Sequence, residues 1–183
     1  MKEQSENRRV RMTKRLMKDA LLELLAQTEL SGISVTAVCE KADVNRSTFY
    51  HYYNSPSELL REIEQDVLDR IPALPVPRNR QGEESLLRAT TAFFDYVKEN
   101  ERVFHILFSE SANAGFSSRL VDLLCAQHIS GIENTDELSS GFIRRYVANG
   151  TVGMLREWID SGFPISSQEI AEMMYFLSRK ITG

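Results

Sequence analysis

The stretch from Ser34 to Leu60, SVTAVCEKADVNRSTFYHYYNSPSELL, decides the fold. Its apolar residues recur at helical spacing in two short blocks on either side of Asp43–Val44, which predicts two short helices joined by a tight turn. Ser34 is placed to cap the first helix and Asn45 the second. Ser55–Glu58 has the form of a capping box with proline at the first helical position. The stretch therefore predicts a helix-turn-helix that is followed at once by another helix.

Helical patterns also surround this stretch. A longer helix is predicted in front of it, from about Thr13 to Gln27, with Thr13 as its N-cap. Ile71–Gly82 contains three prolines and a glycine, which a helix does not easily tolerate. Beyond this break, the spacing predicts helices over about 84–98, 101–109, 116–128, 139–159 and 167–180, the last with a capping box at Ser166 and Glu169.

The fold class that follows is all-α, because no segment has the sustained alternation of a strand. We expect an N-terminal helix-turn-helix, as a homeodomain-like three-helix unit, followed by a C-terminal helical bundle. We place the boundary so that residues 1–55 form the helix-turn-helix domain and residues 56–183 the C-terminal domain. With 42% hydrophobic and 26% charged residues, the composition is that of an ordinary globular protein.

Charge is unevenly distributed along the chain, whose net charge is −4. The first 18 residues contain seven basic residues and two acidic ones, whereas the chain from Glu62 onward contains 12 basic and 18 acidic residues. A basic N-terminal segment on an acidic body suits a protein that presents one end to phosphates, although a solvated tail has the same composition. No apolar run approaches the roughly 18 residues of a membrane span, and no secretory leader or disulfide framework is recognisable, so we expect a cytoplasmic location.

The second helix of the pair carries residue types that contact DNA. In a helix-turn-helix, one face of this recognition helix is buried and the opposite face enters the major groove. Val44, Phe49 and Tyr53 are placed to be buried against the first helix. Arginine can bind a guanine edge through two hydrogen bonds, serine and threonine bind bases or phosphates, and tyrosine hydroxyls reach phosphates. The predicted DNA contacts are the remaining residues, Arg46, Ser47, Thr48, Tyr50, His51 and Tyr52.

The same stretch closely resembles the DNA-binding region of the TetR family of transcriptional regulators. The resemblance rests on the opening Ser34–Thr36, the small residue Ala42, Val44 in the turn, the triplet Thr48–Tyr50 with Tyr53 behind it, and Glu-Leu-Leu at the start of the next helix. It covers about Thr13 to Leu60 and implies a sequence-specific DNA-binding regulator. Such a protein binds operator DNA as a homodimer, commonly as a repressor, and is not an enzyme.

The resemblance also bears on single positions. It adds Ser34 and Thr36 as contacts with phosphates or bases, and it assigns the Tyr50–Tyr52 cluster to phosphates. Family members usually carry a lysine where this chain has Pro56, so this chain has one cation fewer for phosphate at that position. In the C-terminal region, GTVGMLREWIDSGF at Gly150–Phe163 resembles the branch that contains the dihydroxyacetone kinase operon regulator. Basic residues near the N-terminus are expected to compensate for the missing lysine, namely Arg8, Arg9 and Arg11.

The C-terminal region contains aromatic residues that form a candidate effector pocket, although plain packing in a bundle explains them equally well. We expect no cofactor and no metal. Cys125 and His128 stand at the spacing of half a metal site, but no second pair accompanies them. Cys39 is more typical of a small core residue than of a redox sensor. The candidate pocket residues are Phe93, Phe94, Phe104, Phe108 and Trp158.

The last two helices are expected to form the dimer interface, because a single helix-turn-helix contacts too few base pairs. Glycines on the long helix allow another helix to approach closely, at a cost in helix propensity. The final helix has an apolar stripe wider than an isolated helix exposes, although part of each stripe must be buried within one subunit. The predicted interface residues are Tyr146, Gly150, Gly153, Met154, Ile170, Met173, Met174 and Leu177.

Three hypotheses about function follow. The first is a repressor whose bundle binds a small molecule, which changes the spacing of two DNA-binding heads that must meet grooves about 34 Å apart. The second is a DNA-binding co-regulator whose C-terminal region binds a partner protein. The third is a small all-α enzyme or an interaction protein that does not bind DNA. No glycine-rich phosphate loop, nucleophile motif or acid–base pair supports an enzyme, and the Arg46–Tyr52 pattern would then be coincidental.

Overall fold

The computed structural model describes residues 2–71, 80–112, 115–126 and 136–182. Within these ranges it is all-α, as predicted, and contains no strand. Two short 3-10 turns, Leu30–Gly32 and Glu110–Ala112, accompany the α-helices. The helices are α1 (Lys2–Leu25), α2 (Val35–Ala42), α3 (Arg46–Tyr52), α4 (Pro56–Leu68), α5 (Arg80–Glu99), α6 (Glu101–Phe108), α7 (Gly115–Ala126), α8 (Glu137–Asp160) and α9 (Ser167–Thr182).

The described residues belong to two compact units. The first, which we call the head, comprises the described parts of Met1–Val67 and Ile106–Ala114. The second, which we call the bundle, comprises those of Leu68–His105 and Gly115–Gly183. Residues 72–79, which hold the predicted proline break, and His128 of the candidate metal pair lie outside the described residues. No helix in the described part of the chain is long and apolar enough to cross a membrane.

Helix α1 is longer than the sequence pattern predicted, because it begins at Lys2 rather than at Thr13. No glycine or proline stands between these two residues, and the charged residues there have good helix propensity. The prediction of Thr13 as an N-cap was therefore wrong. Its hydroxyl donates a hydrogen bond to the Arg9 carbonyl, 3.0 Å away, as a residue inside a helix does.

The helices of the helix-turn-helix begin and end close to where the local sequence predicted. The Ser34 hydroxyl accepts a hydrogen bond from the Ala37 backbone N–H at 3.1 Å and so caps α2. Asp43 ends α2 in the left-handed region, with φ of 52°, which short polar side chains tolerate. Asn45 occupies the N-cap position of α3, but its side chain makes no capping hydrogen bond, so that detail of the prediction was wrong.

Two capping motifs start later helices. At α4, Ser55 accepts from the Glu58 backbone N–H at 3.2 Å, while the Glu58 carboxylate accepts from the Asn54 N–H at 2.8 Å, one residue before the predicted partner. At α9 the predicted capping box is complete, because Glu169 accepts from the Ser166 N–H at 2.8 Å and its own N–H donates to the Ser166 hydroxyl. Both helices therefore begin where local hydrogen bonds replace the missing backbone partners.

The two cores are built separately. In the head, α1 packs on α2 and α2 on α3, around fully buried Met17, Leu21 and Phe49. In the bundle, α5 packs on α9 and α7 on α8, around Phe94 and Phe104. Large fully buried side chains of this kind contribute about 1.5–3 kcal/mol each to folding.

Candidate nucleic-acid interface

Helix α3 separates its aromatic residues into a buried side and an exposed side. Phe49 and Tyr53 are 0% and 2% exposed, and their ring centroids lie 5.8 Å apart. Tyr50, next to Phe49, is 51% exposed and meets the Phe49 ring edge to face. The predicted burial of Phe49 and Tyr53 is confirmed, while Val44 is only half-buried. These buried rings fix the rotation of α3 and so determine which side chains face outward.

The side chains predicted to contact DNA all retain access to solvent. Arg46 forms no ion pair with any described residue, so its guanidinium is available to a base edge or a phosphate. Thr48 and Tyr52 are half-buried. The other predicted contact residues are exposed, namely Ser34, Thr36, Arg46, Ser47, Tyr50 and His51.

A cleft of about 380 Å³ lies at the turn between α2 and α3. Thr36 and Arg46 from the predicted contact set line the cleft. Asn45, whose side chain makes no capping hydrogen bond, lines it as well. Two carboxylates, Glu40 and Asp43, also line the cleft, and the sequence analysis did not include them. Carboxylates accept hydrogen bonds from the cytosine amino group and are repelled by phosphates, so their presence suits base edges better than the backbone.

An ion-pair cluster joins α1 to α4, and it was not foreseen from the sequence. The Lys14 Nζ lies 3.0 Å from a Glu62 oxygen, and the Lys18 Nζ lies 2.7 Å from Glu62 and 2.6 Å from Asp66. Lys14 also lies over two rings, with its Nζ 5.7 Å from the Tyr52 centroid and 5.3 Å from that of Tyr53. Lys14 and Lys18 were counted as part of the basic N-terminal segment, but here each faces a carboxylate of the same unit.

The ion pairs of this cluster together outweigh the effect of burial on two of its pKa values. Burial by itself raises the pKa of Glu62, but hydrogen bonds from Lys18 and Lys14 outweigh it and hold the pKa below its ordinary value of 4.5. Burial by itself lowers the pKa of Lys18, but hydrogen bonds to Asp66 and Glu62 raise it above its ordinary value. Glu62 and Lys18 are therefore both charged near neutral pH.

Cys39 is a core residue of the head. It is 4% exposed, and burial raises the pKa of its thiol despite the nearby charge of Arg46. A thiol with a raised pKa is a poor nucleophile, which agrees with the packing role. Among the described residues, no group of three or more histidine, cysteine or acidic side chains is arranged to hold a metal ion.

Family models match both parts of the chain. Residues 19–63 match the model of bacterial regulatory proteins of the tetR family, and residues 84–180 match a model of a transcriptional regulator C-terminal region of the same family. The chain belongs to the TetR family of transcriptional regulators. These proteins are DNA-binding regulators and not enzymes, which removes the enzyme hypothesis.

One curated relative agrees with this assignment. The HTH-type transcriptional regulator YxbF of Bacillus subtilis (strain 168) is 29% identical over 117 residues, which cover 61% of this chain and 27% of that protein. The chain thus matches about a quarter of the length of that relative.

Solved structures show the same fold. A TetR transcriptional regulator from Streptococcus agalactiae 2603V has a TM-score of 0.71 and 19% identity, covering 96% of this chain and 98% of that one. The dihydroxyacetone kinase operon activator DhaS has a TM-score of 0.63 and 20% identity, covering 93% and 96%. NalD, the secondary repressor of the MexAB-OprM multidrug efflux pump in Pseudomonas aeruginosa, has a TM-score of 0.61 and 15% identity, covering 93% and 96%.

The aromatic residues predicted to line an effector pocket in this TetR-family protein do not form one group. Phe93 and Phe94 line a cavity of about 40 Å³ in the bundle, together with Thr151. Trp158 instead packs edge to face against Phe94 and donates its Nε1–H to the Ile165 carbonyl at 3.0 Å. Sequence spacing places aromatic residues on a helix face but does not distinguish a cavity wall from a packed core.

The two remaining members of the predicted pocket are explained by packing. Phe104 is fully buried between Tyr96 and Phe116. Phe108 is also buried but belongs to the head rather than to the bundle. Neither of them lines the cavity beside Phe93 and Phe94, and an effector pocket stays a prediction.

The predicted dimer residues divide between exposed and buried positions. Ile170 is 3% exposed and belongs to the core of its own bundle. Met154 and Met174 are half-buried, and a Cβ added at Gly150 or Gly153 would meet no atom within 4 Å. The exposed members are Tyr146, Gly150, Gly153, Met173 and Leu177.

Three further large apolar residues, which the sequence analysis missed, are also exposed on α8 and α9. Leu138 and Phe142 are 72% and 71% exposed on the first turns of α8, and Phe176 is 57% exposed on α9. Leu138, Phe142 and Tyr146 stand four residues apart, which places them along one face of α8. Their i, i+4 spacing is visible in the sequence, but the prediction relied on the glycines and therefore covered the later part of the helix.

Proposed function

We propose that this TetR-family regulator binds operator DNA sequence-specifically as a homodimer and represses transcription. The observation that carries the proposal is the division of α3, in which buried Phe49 and Tyr53 hold a polar face outward. The N-terminal residues of a recognition helix contact base edges in the major groove. On this basis Arg46 contacts a guanine, and the remaining exposed residues of α2 and α3 contact bases or phosphates.

Homodimer formation is supported by the exposed apolar side chains of α8 and α9. Large apolar groups cost free energy in water, and a contiguous set of them marks a surface that another protein covers. A second copy of this chain is the natural partner, because a dimer doubles the number of base pairs contacted. Its two heads would meet half-sites one helical turn apart.

Repression is proposed because a dimer that occupies an operator excludes other proteins from it without any further contact. The names of the similar structures include an activator and a repressor, so the fold is compatible with either sign. A cytoplasmic location follows from the proposal, since the operator DNA lies there.

Control of DNA binding has two candidate sources. One is a small molecule bound in the bundle, for which the apolar cavity beside Phe93 and Phe94 is the supporting feature. Its volume of about 40 Å³ is far below the roughly 300–1,000 Å³ of usual ligand pockets, so a ligand would have to open it. The other is a partner protein on the bundle surface.

The test is a mobility-shift titration of the full chain with DNA from upstream of its own coding region, and light scattering for the mass. We expect a dimer in solution and retardation that survives excess random DNA. A monomer at micromolar concentration, or equal affinity for random DNA, would refute the proposal. A reporter fused to the bound promoter then gives the sign, because loss of the regulator should raise expression if it represses.

A further inference from the structure

The cluster formed by Lys14, Lys18, Glu62 and Asp66 lies close to the DNA-binding side of the head. The Lys14 Nζ is 5.7 Å from the ring centroid of Tyr52, a residue that we expect to contact phosphate. Lys14 also lies in the same helix as the exposed arginines Arg8, Arg9 and Arg11, which precede it by about one to two helical turns. A free lysine at this position would be one more cation for the phosphate backbone.

Lys14 is not a free lysine. Its Nζ donates to both oxygens of Glu62, at 3.3 and 3.0 Å, and Lys18 is held at 2.7 Å by the same carboxylate. Asp66 holds Lys18 from its other side at 2.6 Å. Two cations face two carboxylates, so the cluster has no net charge. The side chains of Lys14 and Glu62 are each about one third exposed, and Lys18 is more enclosed.

We propose that Glu62 withholds Lys14 from the DNA backbone and thereby limits the non-specific affinity of the head. This inference rests on the proposed DNA-binding function. A phosphate that approaches Lys14 must either displace Glu62 or accept a carboxylate nearby, and in both cases the gain from the new contact is cancelled. Phosphate neutralisation is then left to the arginines of α1, which form no ion pair with carboxylates of α4 in the described residues.

This arrangement has a functional consequence. Phosphate contacts supply essentially all of the non-specific affinity of a DNA-binding protein, whereas base contacts supply its discrimination. Neutralising two lysines at the edge of the interface lowers the non-specific affinity and leaves the base contacts unchanged. Glu62 in this sense limits the affinity of the head for any duplex DNA, although it contacts no base.

The decisive variant is Glu62→Gln, which keeps the size and hydrogen-bonding capacity of the side chain but removes its charge. We expect tighter binding to random duplex DNA and a log–log salt dependence that is steeper by up to about 0.9, the value for one added phosphate contact. Affinity for the operator should rise by a similar factor, because a phosphate contact carries no base information. Asp95→Asn on α5 is the charge-matched control in the bundle, because it changes the net charge equally at another exposed carboxylate and should leave the slope unchanged.

Lys14→Gln and the double variant Lys14→Gln/Glu62→Gln complete a cycle. Lys14→Gln alone should leave the slope nearly unchanged, and the double variant should lack the increase that Glu62→Gln produces. A fall of about 0.9 in the slope of Lys14→Gln would overturn the inference, because it would make Lys14 a phosphate contact in the wild type. This variant also keeps the test decisive if Glu62→Gln does not fold. An unchanged slope in folded Glu62→Gln would also overturn the inference, whereas a wild-type protein without operator binding would refute the proposed function instead.

Discussion

The exposed face of α3 and the exposed faces of α8 and α9 differ in chemistry. On α3 the exposed side chains include Arg46, Ser47 and His51, with aromatic residues forming the buried base. On α8 they include Leu138 and Phe142, each more than 70% exposed. A polar, cationic face suits a hydrated phosphate-bearing surface, whereas an apolar face needs a protein surface that excludes water. We therefore expect the two faces to contact two different kinds of partner.

The difference also predicts which property each substitution should change. Substitutions on the exposed faces of α8 and α9 should first change the oligomeric state of the protein. They should weaken DNA binding only because the dimer is lost. Changes on α3 should act on DNA binding and leave the mass unchanged.

The largest effect is expected from Phe142→Glu, which places a charge in the apolar face of α8. We predict a monomer, or an aggregate, by light scattering, and an operator affinity lower by on the order of 100-fold or more, because the two heads no longer bind together. Leu177→Glu on α9 should behave in the same way. Ala92→Glu, at an exposed position of α5, is the control and should remain dimeric. Dimeric Phe142→Glu would show that the apolar face serves another partner.

The next effect is that of Arg46→Ala. Loss of a bidentate hydrogen-bonded pair with a base edge costs about 1–3 kcal/mol of discrimination, which is about 5- to 150-fold in operator affinity. Binding to random DNA should change much less, and the protein should remain a dimer. Arg61→Ala, an exposed arginine on α4, provides the comparison. Equal losses on operator and random DNA would make Arg46 a phosphate contact.

A smaller, sequence-independent effect is expected at the N-terminal part of α1. Replacing Arg8, Arg9 and Arg11 by glutamine should lower the log–log salt slope by about 0.9 for each phosphate that is no longer neutralised. Operator and random DNA should be affected alike, because phosphates carry no base information. Mobility shifts at several salt concentrations measure the slope, and an unchanged slope would remove the arginines from the interface.

The smallest effect concerns the stability of the head as a function of pH. The pKa of Glu62 is lowered on folding, so the ion pairs stabilise the fold at neutral pH and this contribution is lost as pH falls below 4.5 through the folded pKa. Since Glu62 is about one third exposed, we expect about 0.2–1 kcal/mol, measured by urea unfolding at several pH values. Glu62→Gln should remove this part of the pH dependence, and an identical pH profile in the variant would contradict the assignment.

The sequence alone predicted most of the helices, because their determinants are local. Ser34 caps α2, Ser55 begins α4 and Ser166 with Glu169 begins α9, each through hydrogen bonds that span only a few residues. The buried side of α3 was predictable for the same reason. The candidate DNA contacts followed from that side by elimination, and their roles remain predictions.

Tertiary structure decided the features that depend on residues far apart in the chain. Lys14 and Glu62 are 48 residues apart, and no periodicity pairs them. Ile170 and Met173 both belong to the apolar stripe of α9, yet Ile170 is buried and Met173 is 47% exposed. Periodicity identifies the apolar face of a helix, whereas the packing of neighbouring helices determines how much of that face stays open to a partner. The sequence alone thus determined where most of the helices begin and which side of α3 is buried, and tertiary structure decided which charges are neutralised and which apolar residues remain exposed.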